Sequence, residues 1–190
     1  LIRPSELVAV LIPMLWGLGG AEARRAKWQA IRDHVPHIAI AALAFGGAVS
    51  PQLIYWQATT GQWLFYSYVN PGEGFDLATP HLRPFLISFR KGWLVYTPLM
   101  MLAIAGCVTL WRRVPQAFWA VLIFLVADVW IVSSWSCWWY AGGSFSARGM
   151  VPAYAVLALP RGAFIQWTWW WRSWRGPMLF ACGAIVALNL

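Results

Sequence analysis

The residues able to do chemistry in this sequence are few and unevenly placed. Glu73 and Asp76 stand three apart in the stretch 57–92, followed by His81, Arg83 and the pair Arg90-Lys91. By type, Glu73, Asp76 and His81 could act as acid, base or metal ligand. Their spacing matches no strong metal motif, so a divalent metal is possible there but unsupported by ligand spacing, and no other cofactor is indicated. A carboxylate pair in a polar loop ordinarily stays solvated or caps a turn, which leaves Glu73 and Asp76 as weak catalytic candidates. Arg90 and Lys91 precede an apolar run, where two cations either hold a phosphate by charge-assisted hydrogen bonds or mark a membrane interface. Arg148 follows Gly142-Gly143 and could clamp a phosphate bidentately or anchor at the same interface. Asp128 lies within the apolar run LVADVWIV. A carboxylate at that depth is costly and faces a bundle interior or a cavity, so structural and functional readings weigh equally.

These residues are set in a chain of 190 amino acids that is 61% hydrophobic, 17% aromatic and only 11% charged. Soluble domains carry roughly a quarter of their residues charged, which excludes an ordinary water-soluble fold. Disorder is excluded too, because it needs low hydrophobicity. A mean hydropathy of +0.59 and 16 Trp point to a membrane protein. The net charge of +8 comes from basic residues that punctuate apolar segments, so topology explains it better than nucleic acid. Cys107, Cys137 and Cys182 lie in or beside apolar stretches without CxxC spacing and read as structural.

The composition predicts an all-α, polytopic transmembrane bundle of about five to six membrane segments with a structured outer loop. The segments are Leu7 to Leu18, Ile38 to Trp56, Trp93 to Leu110, Phe118 to Ser134, Arg148 to about Ile165 (interrupted at Pro160-Arg161), and Pro177 onward. One set of connections holds Arg24, Arg25, Lys27, Arg32, Arg112, Arg113, Arg161, Arg172 and Arg175; the other holds Arg83, Arg90, Lys91 and Arg148. The positive-inside rule places the richer side in the cytoplasm and loops 57–92 and 135–147 outside. A short interfacial helix is expected from about Pro84 to Arg90. Trp135, Trp138 and Trp139 are expected to anchor the outer face or contact a substrate. Trp167, Trp169, Trp170, Trp171 and Trp174 are expected to form an inner belt. His34 and His37 read as unremarkable inner-side residues. The chain starts at Leu1 rather than Met and is still apolar at Leu190, so 1–190 is expected to be one transmembrane domain from a longer protein.

Four stretches taken together, PQLIYWQATTGQW (51–63), YSYVNPGEGF (66–75), PHLRPFLISFRKGWLVYTPLM (80–100) and WWYAGGSFSARGMV (138–151), carry a resemblance. The chain resembles the later part of bacterial polytopic glycosyltransferases related to protein mannosyltransferases and the lipid A aminoarabinose transferase, which have the GT-C fold. The matching residues are Gly72-Glu73, Pro80-His81, Ser88-Phe89, Arg90-Lys91-Gly92 and Trp93 to Pro98. Ala141 to Phe145 fits the family's AGGSFG-type turn, with Ser146 in place of the glycine and Arg148 without a basic neighbour.

The resemblance implies transfer of a sugar from a polyprenyl-phosphate carrier to an acceptor at the outer face of the bacterial inner membrane. The partners would be membrane lipid and the polyprenyl-phosphate-linked sugar, with no nucleic acid. His81, Arg90, Lys91 and Arg148 would supply phosphate and substrate contacts. In the wider family the catalytic acidic residue, the general base, lies in a first outer loop that this chain lacks, so the chain alone would be inactive. Two other readings stay open: a transporter or flippase fragment, favoured by Asp128 and by Gly46-Gly47-Pro51, and a non-catalytic subunit of a membrane complex.

Overall fold

The computed structural model describes residues 4–65, 73–139 and 146–188, and its regular structure is helical. No strand occurs among the described residues. The α-helices are α1 (Leu11–Leu15), α2 (Ala21–Asp33), α3 (Val35–Thr60), α4 (Leu82–Ile87), α5 (Trp93–Tyr96), α6 (Leu99–Arg113), α7 (Pro115–Ser133), α8 (Ala153–Trp170) and α9 (Arg175–Leu188). Short 3-10 turns cover Pro4–Val10, Arg148–Met150 and Arg172–Trp174. The chain divides into two compact units, Gly20–Pro71 and the remainder.

In the smaller unit, α3 runs 26 residues straight through Pro51. Proline has no N–H to give the carbonyl four residues back, which is that of Gly47. The Ser50 hydroxyl donates to that carbonyl instead, at 2.9 Å. Thr59 and Thr60 likewise donate to the carbonyls of Tyr55 and Trp56, each at 2.7 Å. The helix extends beyond the expected Trp56 to Thr60, and Gly61 closes it in the left-handed conformation at φ 72°.

In the larger unit, α6 lies along α8 and α7 packs on α1 and α6. The buried residues of α7 include Ala117, Ala120, Val121, Phe124, Leu125 and Asp128, spaced three and four apart on one stripe. Ile123, Val126 and Trp130, away from that stripe, are exposed and also apolar. A helix bathed in water would place polar residues there. Among the described residues two helices, α3 and α7, are long and apolar enough to cross a membrane.

Two proline sites depart from the sequence expectation, in opposite directions. The run from Trp93 to Leu110 is split at Thr97, whose φ of −130° and ψ of 64° lie outside the helical region. Pro98 crowds the residue before it and pushes Thr97 there. Pro160, expected to interrupt the later segment, lies inside an unbroken α8. Its own carbonyl is the surface on which Gly106 of α6 rests: a Cβ at Gly106 would fall 1.9 Å from the Pro160 oxygen. Close approach through a small residue is how helices pack where lipid removes the hydrophobic drive for association.

Candidate functional site

Parts of the two expected outer loops, 73–92 and 135–139, meet at the C-terminal end of α7. The last carbonyls of a helix lack intrahelical donors and need partners. The 73–81 segment supplies them: the Asp76 N–H donates to the Ser134 carbonyl at 2.8 Å and the His81 N–H to the Ser133 carbonyl at 2.9 Å. Phe75 and Trp135 form a single antiparallel bridge. The Ser136 N–H donates to the Gly74 carbonyl at 2.9 Å, and the Gly74 N–H to the Ser136 hydroxyl at 3.0 Å. The Trp130 indole N–H reaches the Leu77 carbonyl at 3.2 Å.

Beyond His81, α4 spans Leu82–Ile87, shifted toward the N-terminus of the expected Pro84 to Arg90. It buries Phe85, which meets Trp138 edge-on with centroids 6.1 Å apart. Trp138, expected at the membrane interface, is therefore a core residue, packed with Phe85, Trp93, Met150 and Leu157. Its neighbour Trp139 is only half-buried, and the Arg90 guanidinium carbon lies 4.4 Å above its ring. A cation over a Trp face at that distance is attracted by the ring quadrupole, by about 0.5–1 kcal/mol at an exposed site.

A tight turn sets Arg90 and Lys91 in place. The Gly92 N–H donates to the Ser88 carbonyl at 2.7 Å, the Arg90 N–H to the Ser88 hydroxyl at 3.0 Å, and the Tyr96 hydroxyl to the Phe89 carbonyl at 2.5 Å. Arg90 is exposed, and Lys91 and His81 are half-buried. Arg148 is exposed on the 3-10 turn Arg148–Met150, which packs on α7 where Gly149 faces Val132. The four expected phosphate contacts thus sit on segments tied to the same end of α7. Cations are also favourable beside the negative pole of a helix.

Asp76 has a different role from the one its type suggests. Its carboxylate accepts from the Thr79 hydroxyl and from the N–H groups of Ala78 and Thr79, the latter two at 3.0 and 3.1 Å. The Thr79 hydroxyl, then these N–H groups, and to a lesser extent His81, hold its pKa below the ordinary carboxylate value. Such a group caps a turn and takes up protons poorly. A lowered folded-state pKa stabilises the turn at pH values above the unfolded pKa, and the gain disappears as pH falls through the folded pKa. We expect hydrogen exchange at the Ala78 and Thr79 amides to stay slow at neutral pH and to quicken in acid once intrinsic rates are factored out. Asp76→Asn should abolish that pH dependence.

Glu73 is half-buried at the start of this segment, and Arg83 is exposed on α4. Asp128 is 1% exposed within α7, deeper than the cations. Asn70-Pro71-Gly72 and the stretch Ala141 to Phe145 lie outside the described residues. Ser146, which follows, is buried with φ 56°. A non-glycine residue in that conformation carries a steric cost of about 1–2 kcal/mol. Among the described residues no cluster of three His, Cys, Asp or Glu side chains could hold a metal.

The serine acceptors at 133, 134 and 136 and the Arg90–Trp139 stack escaped sequence reasoning. The Trp-rich patch was the only signal, and it marks interfaces as readily as binding sites. No family model, no curated protein and no solved structure matches this chain.

Proposed function

We propose that this chain is the later part of a membrane glycosyltransferase that moves a sugar from a polyprenyl-phosphate carrier to an acceptor outside the bacterial inner membrane. The observation that carries the reading is Arg90 held over Trp139 at the end of α7, with the His81 and Arg148 segments fastened to the same helix end. Phosphate departs from the sugar as an anion, and fixed cations stabilise the charge that develops on it. Aromatic faces beside those cations suit the apolar C–H surface of a sugar ring. Ser146, which departs from the glycine of the family turn, stands at φ 56°, a conformation a glycine would adopt without steric cost. A polytopic bundle with this end outward agrees with two helices able to cross a membrane and with the distribution of basic residues. The general base would come from outside this chain.

The test is binding of a polyprenyl phosphate against the uncharged polyprenol, with the chain in lipid nanodiscs. Hydrogen bonds to a charged group are worth about 1.5–3 kcal/mol, so Arg90→Ala should weaken phosphate-carrier binding by roughly tenfold or more and leave polyprenol binding unchanged. Arg90→Lys should recover part of the loss. Equal binding by the parent and Arg90→Ala proteins would end the phosphate assignment.

The transporter reading draws on Asp128, a carboxylate buried within α7. It predicts movement of the intact carrier across the bilayer, whereas the transferase reading predicts cleavage of the sugar–phosphate bond.

A further inference from the structure

The helix α2 belongs to the other unit and takes no part in the proposed transfer site. None of its residues is buried, and it joins α3, a helix able to cross a membrane, through a single residue, His34. The junction is compact: the His34 ring nitrogen Nδ1 lies 2.8 Å from the Ala30 carbonyl, and the His34 and His37 rings are 5.6 Å apart.

At 3.6 residues per turn, Arg24, Arg25, Trp28, Ile31 and Arg32 share one side of α2, whereas Glu22, Ala26 and Asp33 fall on the other. Trp28 is 63% exposed at the centre of the basic side. An open recess of about 760 Å³ flanks this side, lined by Arg25, Trp28 and Arg32 and reaching round through Gln29 to Asp33. A bare Trp flanked by arginines is poorly suited to water and well suited to a headgroup layer. There the indole reaches toward the acyl chains and the guanidinium groups meet phosphate.

We propose that α2 is a lipid-binding helix. Its Arg24, Arg25, Trp28 and Arg32 face takes the phosphates of anionic phospholipid at the membrane face where α3 enters. Charge complementarity and direct continuity with α3 select lipid as the occupant, because a basic segment beside a membrane helix is held within reach of anionic headgroups. The assignment is independent of the sugar-transfer reading.

Native mass spectrometry of the full chain in detergent, with phosphatidylglycerol or phosphatidylcholine added, tests it. Phosphatidylglycerol should be retained in preference. Each basic residue near an anionic surface contributes roughly a fivefold factor, so Arg25→Gln with Arg32→Gln should lower that retention by about twenty- to thirtyfold. Asp33→Asn should raise it. Arg112→Gln with Arg113→Gln removes the same charge from α6 and should have a much smaller effect. Circular dichroism of each variant should match the parent. Equal retention of the two lipids, or equal loss in the two double variants, would overturn the proposal.

Discussion

Gly106→Leu is expected to force α6 away from α8 and to lower the stability of the larger unit by about 3 kcal/mol, the upper end of the usual cost of overpacking. A Cβ at this position lies 1.9 Å from the Pro160 oxygen and 2.5 Å from its carbonyl carbon. Both obstacles are backbone, so no rotamer change relieves the clash and the helices themselves must move. Pro160 in turn lies in the middle of α8, where its missing N–H already leaves one helical hydrogen bond unmade. Gly106→Ala should be milder and still destabilising. Gly162→Ala in α8 is the matched control, because nothing lies within 4 Å of a Cβ there. Alanine is the better helix former by about 1 kcal/mol, so that variant should be neutral or stabilised. Denaturant unfolding in micelles, followed by Trp fluorescence, reads all three. A Gly106→Leu protein as stable as the parent would mean the helices do not cross at this point.

Gly92→Ala is the second large effect, and it should strike function harder than stability. A Cβ at Gly92 would lie 2.5 Å from both the N and the O of Ser88 and 2.9 Å from the Ile87 carbonyl carbon. Its φ of −60° is open to any residue, so glycine is required here by space and not by backbone conformation. The added methyl must open the Ser88–Gly92 turn, break the 2.7 Å hydrogen bond and displace Arg90 from Trp139. We expect about 2 kcal/mol of destabilisation from this single overpacked methyl. Under the proposed function, carrier-phosphate binding should fall as far as in Arg90→Ala, although every cation is still present. Binding unchanged from the parent would show that the turn does not position Arg90.

The sequence was most legible where composition and period decide. The apolar runs around α3 and α7 announced helices, and the low charge announced their surroundings. Boundaries were legible only in part, because proline acts through its context. Pro98 breaks the chain by moving Thr97, Pro51 is covered by the Ser50 hydroxyl, and Pro160 sits within an intact helix whose carbonyl supports a neighbour. The candidate site was legible as residue types and not as an arrangement. Arg90 and Trp139 are separated by the whole of α5, α6 and α7, and nothing local links them. Asp76 read as a possible acid or base until the Thr79 hydroxyl and two N–H groups claimed its oxygens.

Amino-acid order alone thus determined that this is a helical chain rich in apolar segments, with cations gathered in particular connections. Hydropathy and helical period depend on neighbours a few residues away, which a sequence displays directly. Tertiary structure alone decided that the 73–92 and 133–139 segments join over the end of α7 and that Trp138 is core while Trp139 carries Arg90. Those outcomes depend on where unsatisfied helix carbonyls and unfilled space fall once distant helices pack, and no local pattern encodes that.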